Sequence, residues 1–163
     1  MNPIDIQRIA VVNRGEPAVR FIRALREYNV ERGTSIRSVA LFTHADEGAP
    51  FVRMADDAAR LGPAMVPGAD GKSISAYVDH ERILRSLIEH KVDAVWPGWG
   101  FVSEDPIFVA KLEKNGILFL GPSSSAMKAL GDKIESKKLA EEFQVPVSPW
   151  CLVENQSEQE LTT

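Results

Sequence analysis

The chain has 163 residues, 44% of them apolar, which suits one domain with a buried core. Its 19 Lys and Arg against 23 Asp and Glu give a net charge of -4, which disfavours a basic nucleic-acid-binding face. Cys151 is the only cysteine, so an intrachain disulfide and a cysteine-based zinc site are excluded.

In chain order, residues 1–8 are polar and lack the apolar core of a secretion signal. No apolar run approaches the ~20 residues that span a bilayer, so we expect a cytoplasmic protein. Short β-branched runs alternate with helical patterns, which is typical of a parallel sheet with crossover helices. These elements predict an open, doubly wound, mostly parallel α/β sheet. The predicted strands are 9–12, 38–42, a short one near 59–61, 92–96 and 117–120.

Helices are predicted between these strands from the spacing of apolar residues. The first covers residues 16–28, with Pro17 at its start. The residues expected on its buried face are Ala18, Ile22, Leu25 and Tyr28. A short helix is predicted over 51–55. Residues 62–75 are rich in Gly, Pro and Ser, so they predict a loop.

The later helices have sequence signals for their first residues. Asp79 is predicted to cap one helix, and Ser103 to cap another that runs to about Asn115. A further pair follows residue 122, and the second of these begins at Asp132, which forms a capping box with Glu135. The residues expected on the buried face of this last helix are Leu139, Ala140 and Phe143.

Ligands of such sheets bind at the carboxyl ends of the strands, and three loops at that edge have unusual chemistry. The first is Asn13-Arg14-Gly15-Glu16, where Gly15 allows close approach and the following helix N-terminus favours an anion. A dinucleotide fingerprint needs three glycines, so this loop does not predict an NAD site. The residues alone favour a tight turn with a solvated Arg14 over an anion contact.

The second loop runs from Trp96 to Glu104 and contains three aromatic residues and two glycines. Glycines let a ligand approach the backbone and aromatics offer stacking faces, but such residues can equally close the core. The third loop is Gly131-Asp132-Lys133, in which a lysine in the first helical turn opposes the helix dipole. Lys133 is either solvated, which the residues alone favour, or bound to a phosphate.

Together the three loops resemble the N-terminal subdomain of biotin carboxylase. The resemblance extends from about residue 8 to Trp150. It implies a pre-ATP-grasp domain over residues 1–145, followed over 146–163 by a linker and the start of a truncated ATP-grasp domain. The motifs that carry it are Asn13-Arg14-Gly15-Glu16, Trp96-Pro97-Gly98-Trp99-Gly100-Phe101 with Ser103-Glu104, and Leu120-Gly121-Pro122 with Leu130-Gly131-Asp132-Lys133.

The resemblance also implies a reaction. The family uses ATP and bicarbonate to carboxylate biotin that is carried on a separate domain, and it requires Mg²⁺. The expected cofactors are therefore ATP, Mg²⁺ and biotin. The expected partner is the remainder of a homo-oligomeric carboxylase, with its ATP-grasp, biotin carrier and carboxyltransferase parts, and neither nucleic acid nor membrane.

The family's positions can be carried over to individual residues. Lys133 matches an ATP-binding lysine, Trp99 and Gly100 match positions that border biotin, and Glu104 lies close to them in sequence. Most groups that bind ATP, magnesium and bicarbonate lie in the ATP-grasp part. We therefore expect no catalytic or metal-binding residue in this chain, and we expect an excised piece that is inactive alone.

The Trp96–Gly100 turn indicates which carboxylase is involved. Free-standing biotin carboxylases and pyruvate carboxylases usually have His-Pro-Gly-Tyr-Gly there, whereas two tryptophans resemble the large single-chain acetyl-CoA carboxylases. The sequence therefore predicts the N-terminal part of an acyl-CoA carboxylase, with acetyl-CoA as the expected substrate. The alternatives are a subdomain of pyruvate carboxylase, a subdomain of another ATP-grasp ligase, and a non-catalytic assembly module.

Overall fold

The computed structural model describes residues 6–68 and 71–150. The strands in this part are β1 Arg8–Val11, β2 Arg37–Thr43, β3 Asp57–Gly62, β4 Met65–Pro67, β5 Ser73–Ser75, β6 Ala94–Trp96 and β7 Leu118–Phe119. The α-helices are α1 Gly15–Arg32, α2 Pro50–Met54, α3 His80–Glu89, α4 Pro106–Lys114, α5 Ser124–Gly131 and α6 Lys133–Glu142. Short 3₁₀ helices cover His44–Asp46 and Ala76–Val78.

Five strands form one parallel sheet in the order β3-β2-β1-β6-β7. β2 and β3 are added on one side of β1, and β6 and β7 are added on its other side. The order of addition therefore reverses between β1 and β6. This topology confirms the predicted doubly wound parallel sheet.

Helices cover both faces of this sheet, which explains why Ile9, Ala10 and Val11, the buried residues of β1, are all apolar. Ala10 packs in the same buried cluster as Phe108 of α4. Val11 points to the opposite face and packs with Ile22 of α1 and Phe51 of α2. Because successive side chains of a strand alternate between faces, a strand covered on both faces needs an apolar residue at every position.

Helix α1 is longer than predicted. It starts at Gly15 and runs to Arg32, where Gly33 in the left-handed conformation (φ 64°) ends it. Its 18 residues extend about 27 Å, well past the four-residue β1. Tyr28 therefore lies beyond the sheet and is 47% exposed, so its predicted burial is wrong. The other residues of the predicted face, Ala18, Ile22 and Leu25, are buried.

The caps of α3 and α4 test the predicted helix starts. The side chain of Asp79 accepts a hydrogen bond from the Arg82 N–H, which confirms the cap of α3. The cap predicted for α4 at Ser103 is wrong, because Asp105 accepts the backbone N–H bonds of the first turn. Pro106 follows at the first helical position, where a missing N–H has no consequence.

The segment predicted as a loop over residues 62–75 contains an antiparallel hairpin of β4 and β5. Val66 pairs with Ile74, and the Val66 side chain is 4% exposed. Each strand has three residues, which is too short to show the alternation that predicts a strand.

The described residues fall into two compact units, one that ends at Lys128 and one that begins at Ala129. In the second unit the Asp132 carboxylate accepts two backbone N–H groups of the first turn of α6, which confirms this cap. Leu139 and Ala140 are half-buried, but Phe143 is 70% exposed, so the predicted burial of Phe143 is wrong. Phe143 is the C-cap of α6, so it lies outside the helical spacing from which its burial was predicted.

The division of the chain at residue 145 stays a prediction. Residues 151–163, which include Cys151, lie outside the described part of the chain. None of the helices in the described part combines the length and the hydropathy that crossing a bilayer requires.

Candidate functional site

Two loops leave the sheet side by side where its strand order reverses. Val11 at the end of β1 lies opposite Trp96 at the end of β6, and the chain turns away after both. In doubly wound sheets this is the position of the ligand crevice. We call residues 13–17 and 96–104 the carboxyl-edge site.

Asn13 joins the two loops. Its side-chain Nδ2 donates to the carbonyl oxygen of Pro97 at 2.7 Å and to that of Trp99 at 3.0 Å. Its Oδ1 accepts the backbone N–H of Arg14 at 2.8 Å. Asn13 is 3% exposed, so both ends of a buried amide are satisfied.

The turn after β6 has an unusual backbone. Gly98 (φ 64°), Gly100 (φ 75°) and Phe101 (φ 48°) are all left-handed. A Cβ on Gly98 would lie 2.7 Å from Nδ2 of Asn13 and 2.8 Å from the Trp96 ring, so glycine is required there for space as well as for φ.

The aromatic residues of the site differ in burial. Trp96 is half-buried and stacks on Phe21 of α1, with ring centroids 4.4 Å apart. Phe101 is 41% exposed and its ring lies 4.9 Å from that of Tyr77. Trp99 is 72% exposed. Trp96 therefore closes the core, whereas Trp99 presents its ring to solvent.

Trp99 lines two grooves. The first has a volume of about 440 Å³ and the second about 390 Å³. The first groove is lined by Pro17, Arg20, Phe21, Ala24, Trp96, Gly98 and Trp99. The second is lined by Asn13, Arg14, Gly15, Glu16, Pro17, Trp99, Gly100 and Phe101.

The Arg14 side chain is 51% exposed, as the residues alone predicted, and it is also paired with a carboxylate. Its guanidinium donates to both carboxylate oxygens of Asp46, with Nη2–Oδ1 at 2.6 Å, Nε–Oδ1 at 3.0 Å and Nε–Oδ2 at 3.2 Å. Asp46 is 5% exposed and also accepts a hydrogen bond from the Thr43 hydroxyl. The positive charge of Arg14 is therefore compensated by a buried carboxylate.

The Tyr77 hydroxyl completes this network. It lies 2.9 Å from the carbonyl oxygen of Leu41 and 3.3 Å from the Asp46 carboxylate. Burial, together with the negative charge of Asp46, raises the pKa of Tyr77, so the phenol stays protonated and acts as a donor. Burial of Asp46 would raise its pKa, but the hydrogen bonds it accepts and the charge of Arg14 hold that pKa below the ordinary value of 3.8.

A carboxyl with a lowered folded-state pKa stabilises the fold above its unfolded pKa and loses this contribution as pH falls through the folded value. We expect Asp46→Asn to lower the free energy of unfolding by about 1–2 kcal/mol at neutral pH. The deficit should shrink as pH falls below the ordinary value of 3.8. Urea titrations of both proteins at several pH values measure this difference. A deficit that is the same at all pH values contradicts the ionic role of Asp46.

The predicted site residues fall in two places. Trp99, Gly100 and Glu104 lie on one loop of the carboxyl-edge site, and all three are exposed. Lys133 belongs to the second unit, where it is exposed in the first turn of α6. Within residues 6–68 and 71–150 its ammonium forms no ion pair.

The sequence reasoning missed Asp46 and Tyr77. A signal was present for Asp46, because an acidic residue that follows β2 closely lies at the same edge as Arg14. Tyr77 had no such signal, because it follows the unpredicted hairpin. Among the described residues no three His, Cys, Asp or Glu side chains could hold a metal ion.

The parallel sheet and the crevice where its strand order reverses place this chain in a class of α/β domains. Domains of this class bind ligands at the carboxyl ends of their strands. Residues 5–127 match the family "Biotin carboxylase, N-terminal domain". The chain is 38% identical to pyruvate carboxylase of Bacillus subtilis over 91% of this chain and 12% of that protein. It is 40% identical to acetyl-CoA carboxylase 1 of Arabidopsis thaliana over 89% of this chain and 6% of that protein.

A solved structure of a biotin carboxylase is also similar to this chain. The biotin carboxylase of Campylobacter jejuni, in its beta-gamma-ATP complex, superposes with a TM-score of 0.76 at 30% identity, over 91% of this chain and 30% of that chain. The chain belongs to the biotin carboxylase N-terminal domain family, whose members begin biotin-dependent carboxylases. It spans only a small part of these relatives, between 6% and 30% of their lengths.

Proposed function

We propose that this chain forms the N-terminal wall of the biotin carboxylase site in a cytoplasmic acetyl-CoA carboxylase. Trp99, Gly100 and Glu104 face biotin, and Lys133 contacts a phosphate of ATP. The observation that supports this role best is the exposed ring of Trp99, which lines two grooves at the strand reversal. The remainder of the carboxylase supplies the groups that bind Mg²⁺ and bicarbonate, and the parent protein is a homo-oligomer.

The residues of the carboxyl-edge site fit a neutral heterocycle such as biotin. The two grooves fall within the ~300–1,000 Å³ that small-molecule sites occupy. Asp46 compensates the charge of Arg14, so the crevice next to Trp99 has little net positive charge to attract a triphosphate. Biotin, when bound, supplies the ureido nitrogen that accepts CO₂. Trp99 offers that ring system a flat apolar contact.

Lys133 fits a phosphate contact for a different reason. The adjacent Asp132 carboxylate is engaged by two backbone N–H groups, at 2.7 Å from Ile134 and 3.0 Å from Glu135. The Lys133 ammonium is exposed and has no ion-pair partner in the described part of the chain. A cation in the first turn of a helix is unfavourable until an anion approaches it. A phosphate of ATP is such an anion.

The choice of acetyl-CoA rests on the Trp96–Gly100 turn, with its two tryptophans, and on the 40% identity to the Arabidopsis acetyl-CoA carboxylase. The second candidate is pyruvate carboxylase, which the Bacillus relative favours. Labelled bicarbonate distinguishes them in the carboxylase that contains this chain. Incorporation that depends on acetyl-CoA supports the first, and incorporation that depends on pyruvate overturns it in favour of the second.

Trp99→Ala tests the biotin contact. We expect the KM for biotin to rise about two- to tenfold, since an aromatic contact contributes about 0.5–1.5 kcal/mol. The unfolding free energy should change by less than about 0.5 kcal/mol, because the side chain is 72% exposed. The matched control is Ile88→Ala, which truncates an apolar side chain that is 53% exposed near the end of α3. An unchanged KM in Trp99→Ala would refute the contact.

A further inference from the structure

Asn13 lies in the loop between β1 and α1, and this location alone does not explain why its side chain is buried. Its side chain is 3% exposed, although an asparagine at the start of a helix usually caps that helix from the surface. Helix α1 has no side-chain cap, and the Asn13 Nδ2 points instead into the neighbouring turn. We infer that Asn13 is a positioning residue, which holds the turn after β6 in the one conformation that presents Trp99.

The geometry of the amide supports this role. Nδ2 carries two hydrogens, and they reach the carbonyl oxygens of Pro97 and Trp99, the residues on either side of Gly98. The Asn13 side chain therefore restrains the backbone on both sides of Gly98. The absent Cβ of Gly98 leaves the space that Nδ2 occupies. A side chain at position 98 would therefore displace the Asn13 amide.

The turn also needs hydrogen bonds that restrain its backbone. Glycine adopts positive and negative φ about equally well, so Gly98 and Gly100 do not fix the backbone of the turn. Phe101 has a left-handed φ of 48°, which is unfavourable for a residue with a Cβ. Within the turn region, the backbone bond from Ser103 N–H to the Gly100 carbonyl oxygen holds its far end. The Asn13 amide holds its near end, where Trp99 lies.

The consequence for activity rests on the proposed function. If Trp99 contacts biotin, a turn that samples several conformations presents the ring for only part of the time. Apparent affinity falls by the fraction of molecules in the competent state. Loss of Asn13 should then raise the KM for biotin and leave the KM for ATP unchanged, which a general loss of stability would not do.

Fluorine NMR of the chain labelled with 5-fluorotryptophan tests the positioning role directly. The chain has three tryptophans, and the variant Trp99→Phe assigns the Trp99 signal. We expect one narrow Trp99 signal in the native chain. In Asn13→Ala this signal should split or broaden about twofold, while the signal of Trp150, which is remote from this turn in sequence, serves as the internal reference.

The matched control is Asn29→Ala. Asn29 is also an asparagine whose side chain binds backbone groups outside its helix: Nδ2 donates to the Ile36 carbonyl oxygen at 2.8 Å, and Oδ1 accepts the Ile36 N–H at 3.1 Å. It lies near the other end of α1, so its loss should leave the Trp99 signal unchanged. If Asn13→Ala does not fold by circular dichroism, Gly98→Ala perturbs the same contact, and the same change is expected.

A single Trp99 signal of native width in a folded Asn13→Ala or Gly98→Ala chain overturns the inference. In the carboxylase that contains this chain, Asn13→Ala should raise the KM for biotin about two- to tenfold, the range for one lost hydrogen bond, and no more than Trp99→Ala does. If Trp99→Ala raises this KM and Asn13→Ala does not, the inference is also overturned. If Trp99→Ala has no effect, the proposed biotin contact fails, and the fluorine signal alone decides the role of Asn13.

Discussion

Replacing Phe108 with alanine should lower the free energy of unfolding by about 3–5 kcal/mol. The side chain is fully buried in α4 and packs in the cluster that joins α4 to the sheet and to α3. Its ring also lies 5.3 Å from that of His80 at the start of α3. The truncation therefore removes apolar contacts and leaves a cavity that the rigid sheet cannot fill. Urea denaturation followed by circular dichroism measures the loss.

The adjacent residue gives the control for this experiment. Ile107 is in the same turn of α4 but is 65% exposed, so Ile107→Ala should change the unfolding free energy by less than about 0.5 kcal/mol. Similar losses in the two variants would show that α4 does not pack as described.

Lys133→Ala should reduce the biotin-dependent and ATP-dependent activity of the parent carboxylase about 100-fold. Leaving a bound phosphate without its charged donor costs up to about 3 kcal/mol of ATP binding free energy, so the loss is measured below saturating ATP. The melting temperature of Lys133→Ala should rise or stay the same, because a cation in the first turn of α6 opposes the helix dipole. The measurements are ADP release with bicarbonate and biotin, and thermal unfolding of the same samples.

This opposite response of activity and stability distinguishes a phosphate contact from a structural role. Lys128→Ala is the matched control, since Lys128 is also exposed and lies five residues earlier in α5. Lys133→Arg keeps the charge and should retain more activity than Lys133→Ala. Full activity in Lys133→Ala would contradict the ATP contact and favour a non-catalytic assembly role for this chain.

The sheet could be predicted from the sequence because its signals are local. The apolar run of β1 predicts a strand covered on both faces, and Asp79 and Asp132 predict helix starts from the chemistry of a single side chain. Errors arose where two local signals compete. Ser103 and Asp105 can both cap a helix, and only the position of Pro106 favours the second.

The candidate site was predicted in part. Three aromatics and two glycines identified the Trp96–Glu104 loop, and the structure shows which tryptophan is exposed. The contacts that fix the site are not local in sequence. Asn13 bonds a carbonyl 84 residues away, and Arg14 pairs with a carboxylate 32 residues away. Such pairs depend on the strand order, which one sequence does not contain.

The close approach at Gly98 has a consequence for engineering this turn. Saturation mutagenesis under selection for native ligand affinity should recover only glycine there, since even one methyl group would displace the Asn13 amide or the Trp96 ring. The next side chain, Trp99, points into open solvent and should accept many replacements without loss of folded protein. Diversity meant to alter ligand preference therefore belongs at one position of the turn, directly beside a position that tolerates none.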